Sequence, residues 1–260
     1  MPGSRLPCVN PGGTGSLIRL DRKPVLEEAM ALPPEAVRAL SFWAARPGEI
    51  ITLLDPEGVK SYRARITSLS PPNVAVVVPF EEQPGPPEGQ VHLTVYQALP
   101  RKERFELVLE KLTELGVGRI VPFTCSHSTT LLERDAGQKK SHRWPEVVRR
   151  AAKQCRRAML PELAPVLNWQ ETLTEAATAE LRMVLFEGPC DYSVGGAMIQ
   201  SKARRIALLV GPEGGFSSLE VQEARERGIV PVSIGRRILR TETAAIVGTA
   251  IIQYCLGELG

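Results

Sequence analysis

Cysteine and histidine are scarce and scattered. The five cysteines, Cys8, Cys125, Cys155, Cys190 and Cys255, are odd in number and include no Cys-x-x-Cys pair. That argues against a disulfide framework and a zinc site, and implies reduced thiols in the cytosol. His92, His127 and His142 show no ligand spacing, so no metal is expected. No apolar run approaches the roughly 20 residues that cross a bilayer. A basic-then-apolar secretory start is also missing, and a cytoplasmic protein with no membrane partner is expected. The glycines form neither a P-loop nor Gly-x-Gly-x-x-Gly, which counts against a Rossmann-like oxidoreductase. No Ser–His–Asp, Cys–His or paired-carboxylate arrangement stands out. A reaction without a covalent enzyme intermediate fits better than acyl transfer or glycoside hydrolysis. The net charge of +3 is too small to indicate nucleic acid by itself, so the placement of basic residues matters more.

The chain has 260 residues, 43% hydrophobic and 23% charged, enough for one large or two modest domains. Residues 1–16 are rich in Gly, Pro and Ser and are expected to be poorly ordered. Strands are predicted at Leu17–Leu20, Glu49–Leu54, Ser61–Ile66 and Asn73–Val78, with a short helix from Pro34 to Leu40. Tyr62, Ala64 and Ile66 alternate with Arg63 and Arg65 in the half-buried strand pattern. These elements predict a small, mostly antiparallel β domain over residues 1–85. Glu81–Gly89, with three prolines and two glycines, reads as its boundary. Beyond it strands and helices alternate, predicting a mainly parallel α/β domain over 91–260. Strands are expected at Val91–Ala98, Arg119–Phe123, Leu181–Phe186, Ile206–Val210 and Ile229–Ile234. Helices are expected at Lys102–Leu115, Trp144–Met159, Ser217–Arg227 and Glu242–Leu256.

Two strand ends carry the chemistry. Gly211-Pro212-Glu213-Gly214-Gly215 follows a buried strand, and its glycines let backbone polar groups approach a ligand. The same residues also make a tight strand-to-helix turn with Ser217 or Ser218 as N-cap and Glu220 completing a capping box. Glu213, set between Pro and Gly-Gly, invites a specific partner. Arg236, Arg237 and Arg240 precede the last helix, where Thr241 is a natural N-cap. Their forks suit phosphate beside a helix N-terminus, and a solvated basic rim is the competing reading. On the middle helix Arg149, Lys153 and Arg156 share one face, with Arg150, Gln154 and Arg157 adjoining. This is either a solvated face or a phosphate-binding strip. Lys102, Arg104 and Lys111 read as intrahelical partners of Glu103, Glu106 and Glu110.

At these residues the chain resembles the RsmE family, SPOUT-class methyltransferases that modify uridine N3 in 16S ribosomal RNA. The likeness runs through Lys111-Leu112-Thr113-Glu114-Leu115-Gly116-Val117, Ile120–Phe123, Trp144 and the Ala152–Pro161 segment. It continues through Gly211–Phe216 and Gly235–Ala244. Lys153-Gln154-Cys155 departs from the family's Glu-Gln-Ser, and Ala39–Arg46 replaces its His- and Arg-containing segment. The resemblance implies a SPOUT-type knotted α/β methyltransferase domain after a small PUA-like β-barrel RNA-binding domain. It further implies a homodimer, S-adenosylmethionine as cofactor and a ribosomal RNA or small-subunit partner. By carry-over, Phe186, Glu187, Gly188, Gly211, Glu213, Gly214, Gly215, Ile234, Leu239, Arg240, Thr241 and Thr243 would line the cofactor. Arg240 and Glu242 would be catalytic, the former against a uracil anion and the latter taking the proton. Arg63, Arg65, Arg149, Arg150, Lys153, Arg156, Arg157, Arg236 and Arg237 would meet RNA. A SPOUT enzyme for another RNA position and an inactive RNA-binding or ribosome-assembly protein are the alternatives.

Overall fold

The computed structural model describes residues 10, 13, 14, 16–70, 74–83, 88–101, 104–137, 140–199 and 201–259. The poor order expected of residues 1–16 concerns a stretch that lies almost wholly outside these residues, and Cys8, Lys102, Glu103 and the prolines at 84, 86 and 87 lie outside them too. In chain order the elements begin with β1 (Gly13–Thr14), β2 (Leu17–Arg19), β3 (Met30–Ala31), α1 (Pro34–Phe42), β4 (Ile50–Leu54), β5 (Ser61–Ser70) and β6 (Val74–Gln83). They continue with β7 (His92–Ala98), α2 (Phe105–Glu114), β8 (Arg119–Phe123), α3 (Leu131–Gly137), α4 (Trp144–Gln154), β9 (Met159–Leu160), β10 (Glu162–Leu163) and α5 (Trp169–Ala176). The last are β11 (Leu181–Leu185), β12 (Tyr192–Ser193), α6 (Val194–Ile199), β13 (Arg205–Val210), α7 (Ser218–Glu226), β14 (Val230–Ser233) and α8 (Thr241–Cys255). Two compact units result, one grouping Gly12–Gly89 with Ala152–Leu160, the other Gln90–Ala151 with Pro161–Gly260.

In the first unit the strands order as β2-β4-β5-β6-β3, antiparallel except for β2 against β4. On β5, Tyr62, Ala64 and Ile66 are buried while Arg65 points to solvent, as period-2 alternation requires. They pack on Val37 and Leu40 of α1 and on Ile51, Leu53, Ala75 and Val77.

The middle helix is shorter than its sequence pattern predicts. Arg156 adopts φ +59°, the Arg157 N–H donates to the Ala152 carbonyl at 2.9 Å and the Arg156 N–H to Lys153 at 3.2 Å. This is a Schellman stop, with arginine where glycine is usual. Arg63 Nη1 donates to the Arg156 carbonyl at 2.9 Å and fixes the turn. Arg156 and Arg157 therefore do not continue the helical faces of Arg149, Lys153 and Arg150, Gln154.

The second unit holds a seven-stranded sheet, β10-β8-β7-β13-β11-β14-β12, in which every pairing is parallel. One face carries Tyr96, Ala98, Val121, Phe123, Val184, Ala207 and Leu209 against Trp169 and Leu173 of α5 and Val221 and Ala224 of α7. The other face receives α8, which also packs on α2. Gly248 permits that approach, since a Cβ there would stand 3.2 Å from Leu185 and 3.3 Å from Leu208. No helix among the described residues is long and apolar enough to cross a membrane.

Cys125, Cys155, Cys190 and Cys255 are free thiols. Burial pushes the Cys125 thiol up to about 11, and the Glu220 carboxylate adds to that, whereas Cys255 is exposed. Thiolate is the reactive form. Native protein treated with a thiol reagent near neutral pH should therefore be modified at Cys255 well before Cys125. Peptide mapping that found equal rates would contradict this packing.

Candidate functional site

Three adjacent parallel strands, β13, β11 and β14, release their chains at the same edge of the sheet. Such carboxyl ends are where open α/β sheets place ligands. The turn after β13, the segment after β11, the loop after β14 and the first turn of α8 enclose a cavity of about 420 Å³. Its apolar wall comes from Leu185, Phe186, Val210, Val232, Ile234 and Leu239, and its charged rim from Arg104, Arg237, Arg240, Glu187, Glu213 and Glu242.

The glycine turn is built by local constraints. Gly215 takes φ +65° and its N–H returns to the Pro212 carbonyl at 3.0 Å. Gly214 has no room for a side chain, because a Cβ would stand 2.9 Å from His127 Cβ. The loop after β8 buttresses this turn. His127 Nδ1 lies 3.2 Å from the Gly215 carbonyl, and the Ser126 N–H donates to Glu220 Oε1 at 2.8 Å. Ser217 and Glu220 form the capping box expected at the start of α7. Burial works to raise the Glu220 carboxyl, but hydrogen bonds from Ser126 and Ser217 outweigh it and hold it below its ordinary range. Glu213 Oε2 accepts the Arg101 N–H at 3.0 Å, so the partner its position called for includes backbone.

At α8 the N-cap is Arg240, not Thr241, with extended backbone at ψ 152° and no side-chain capping bond. Thr241 is the first helical residue, and its hydroxyl turns inward. It donates to the Gly211 carbonyl at 2.5 Å and accepts from Gln97 Nε2 at 2.9 Å. The hydroxyl thus ties α8 to β7 and to the end of β13.

Nine of the twelve proposed cofactor residues line the cavity; Gly188, Gly214 and Thr243 do not. Both proposed catalytic residues line it too. The Arg240 side chain is exposed and, like those of Arg236 and Arg237, has no hydrogen-bond or ion-pair partner among the described residues. Glu242 is different: it is buried, and Arg104 Nη1 donates to its Oε1 at 2.8 Å. Arg104 therefore corrects the reading of simple intrahelical pairing on α2, which holds for Lys111 with Glu110 and Glu114. Its sequence signal was hidden among alternating charges on one helix.

The other basic candidates divide sharply. Arg63 donates to Thr52 and to the Arg156 carbonyl, Lys153 pairs with Glu49, and Arg157 pairs with Glu88. Those three hold their own unit together. Arg149 pairs with Glu146 and Arg65 stacks 5.9 Å over Phe80. Arg150 and Arg156 remain exposed.

Comparison with known proteins agrees with this geometry. The sequence profile of the RNA methyltransferase domain matches residues 87–253. Ribosomal RNA small subunit methyltransferase E of Bacillus subtilis is 30% identical, over 64% of this chain and 67% of its own. Its counterpart from Synechocystis is 32% identical, over 75% of this chain and 63% of its own. The crystal structure of the Neisseria gonorrhoeae enzyme bound to S-adenosyl methionine superposes with a TM-score of 0.64 at 29% identity, covering 92% and 97% of the two chains. A probable rRNA-methyltransferase from Porphyromonas gingivalis gives 0.62 at 25% identity, covering 93% and 98%. The fold is accordingly the SPOUT-type α/β arrangement with a small β domain before it, and the chain belongs to the RNA methyltransferase domain family, within its ribosomal RNA small subunit methyltransferase E branch.

Proposed function

We propose that this protein is an S-adenosylmethionine-dependent methyltransferase of uridine N3 in small-subunit ribosomal RNA, working in the cytoplasm as a homodimer. The observation that carries the reading is the cavity itself. Its size and lining suit the cofactor: aliphatic side chains such as Leu185, Ile234 and Leu239 together with Phe186 for an adenine ring, loop backbone for hydrogen bonds, and the exposed carboxylate of Glu187 for a cationic group. Gly211, Glu213, Gly215 and Thr241 would hold the rest of the molecule. Bound there, S-adenosylmethionine supplies an electrophilic methyl on a sulfonium sulfur, which keeps the C–S bonding pair as N3 takes the methyl.

Uracil N3 carries a proton at neutral pH, so that proton must leave before or during attack. Arg240, unpaired at the cavity rim, stabilises the negative charge that results. Positioning both substrates accounts for much of the remaining rate. Of the nine assigned cations, Arg236, Arg237, Arg150, Arg156 and Arg65 are exposed and without an ion pair among the described residues, and these would meet RNA phosphates, with the PUA-like β domain supplying the last two. Gly188 and Gly214 shape the loops and Thr243 belongs to the first turn of α8, and none of the three lines the cavity. Dimerisation would use α8, where Ile246, Val247, Ala250 and Ile251 are half-buried and Tyr254 is 70% exposed.

The test combines purified protein, S-adenosylmethionine and small ribosomal subunits from cells lacking the enzyme, with mass spectrometry of the RNA nucleosides. New 3-methyluridine is the expected product. A different methylated nucleoside would overturn the target, and absence of both cofactor binding and methylation would favour the inactive RNA-binding alternative.

A further inference from the structure

Arg104 lies outside both cavity motifs. It is the N-cap residue of α2, yet it lines the same cavity as Arg240 and Glu242. Its Nη1 donates to Glu242 Oε1 at 2.8 Å; the Glu242 side chain is 7% exposed and that of Arg104 39%. A guanidinium offers five N–H donors in a fixed plane. Glu242 engages one Arg104 nitrogen, and no further side-chain partner of Arg104 exists among the described residues. Glu242 itself stands in the first turn of α8, where the helix field favours a carboxylate. The buried partner is thus anchored, and the half-exposed one turns its unused donors to the cavity.

We infer that Arg104 is a second cationic residue of the methyl transfer, contacting the target uracil, and that Glu242 is its positioning residue instead of the proton acceptor. The inference rests on the uridine-N3 reading. In the step concerned the N3–H bond breaks, the proton passes to water, and negative charge spreads over N3, O2 and O4. Two carbonyl oxygens flank N3, and of the three arginines that line the cavity two, Arg104 and Arg240, come from different helix starts. Hydrogen bonds from them strengthen as the charge develops, so they favour the transition state over bound substrate. A carboxylate whose Oε1 already receives an arginine donor serves to hold that donor in place.

The test measures turnover against pH for wild type, R104Q, R104K and E242Q on the same ribosomal substrate, with cofactor affinity by calorimetry and thermal unfolding as controls. At neutral pH, R104Q should lower kcat by about 10²–10³-fold, the loss typical of one removed donor to a developing anion, with cofactor affinity unchanged. A fixed cation makes N3 easier to deprotonate, so its removal should move the rising limb of the pH–rate profile to higher pH. R104K should recover part of the loss, and it keeps the test available if R104Q does not fold. E242Q should show the same upward displacement in smaller measure. If Glu242 were the base, E242Q would instead abolish the limb, overturning its positioning role. An R104Q enzyme with wild-type turnover and pH profile would overturn the Arg104 assignment alone. A wild-type product other than 3-methyluridine would overturn the uridine-N3 reading and this inference with it.

Discussion

Arg240→Ala is expected to lower kcat for methyl transfer by about 10²–10³-fold while leaving stability within about 0.5 kcal/mol of wild type. The two halves of this expectation have separate grounds. Arg240 starts α8 through its backbone: its carbonyl accepts the Ala244 N–H at 2.8 Å, and its side chain makes no capping bond. Alanine preserves that backbone, and the exposed side chain has no partner to lose. The guanidinium, however, lines the cavity, where it meets charge that exists only as N3 loses its proton. Contacts made chiefly in the transition state appear in kcat and kcat/KM together, with little change in ground-state binding. Arg240→Lys should recover part of the rate, since it keeps the charge and loses the fork. Steady-state kinetics on ribosomal subunits decide the matter: unchanged kcat for the alanine variant would remove Arg240 from the chemistry.

Much of the fold can be read from residue patterns because burial has a period. Arg119–Phe123 begins and ends where its run of apolar residues says, and β11, β13 and β14 are bounded within one or two residues. The elements that escape pattern reading are short or depend on partners. β9, β10 and β12 have two residues each, too few for any alternation to show. α5 carries a legible start, Asn168 and Glu171 as a capping box, but spans only two turns. The early end of α4 is the instructive case. Nothing in Lys153-Gln154-Cys155-Arg156-Arg157 discourages a helix. At the stop Arg63 of β5 donates to the Arg156 carbonyl, a tertiary contact that local propensity does not contain. The segment Ala152–Leu160 then groups with Gly12–Gly89, and no linear boundary could show that.

The site was legible where it depends on strand ends. Gly211–Phe216 and Ile234–Thr241 meet because β13 and β14 both flank β11, and parallel strands release their loops on one side. Side-chain direction was less legible. Four of the nine cations assigned to RNA, Arg63, Arg149, Lys153 and Arg157, are engaged by Thr52, Glu146, Glu49 and Glu88. Sequence shows charge and not which carboxylate folding brings beside it. The same limit hid Arg104, whose partner lies 138 positions away. Residue type alone also gave Thr241 the capping role that any hydroxyl before a helix suggests.

Thr241→Val is expected to destabilise the protein by about 2–4 kcal/mol and to weaken cofactor binding. Valine nearly matches threonine in shape and in helix propensity, so the substitution removes one oxygen and little else. Thr241 is 5% exposed, and its hydroxyl serves two partners, the Gly211 carbonyl and Gln97 Nε2. Each buried polar group left without its partner costs about 1–3 kcal/mol. Gln97 retains one bond to the Ala98 carbonyl at 3.0 Å, which keeps the sum below the upper limit. The Gly211 carbonyl has no such second partner among the described residues, so the glycine turn loosens, and the cavity wall it forms loosens with it. Urea unfolding should show a lower midpoint at unchanged slope, with cofactor affinity falling in parallel. Thr241→Ser keeps the hydroxyl and should lose only about 1 kcal/mol, the worth of one buried methyl. Thr241→Asp separates the two roles open to this residue. As an N-cap, aspartate would serve as well as threonine. In the observed geometry its carboxylate would face the Gly211 carbonyl, acceptor against acceptor, and the variant should be less stable than Thr241→Val. An aspartate variant as stable as wild type would mean that Thr241 caps α8 and that the bond to Gly211 contributes nothing.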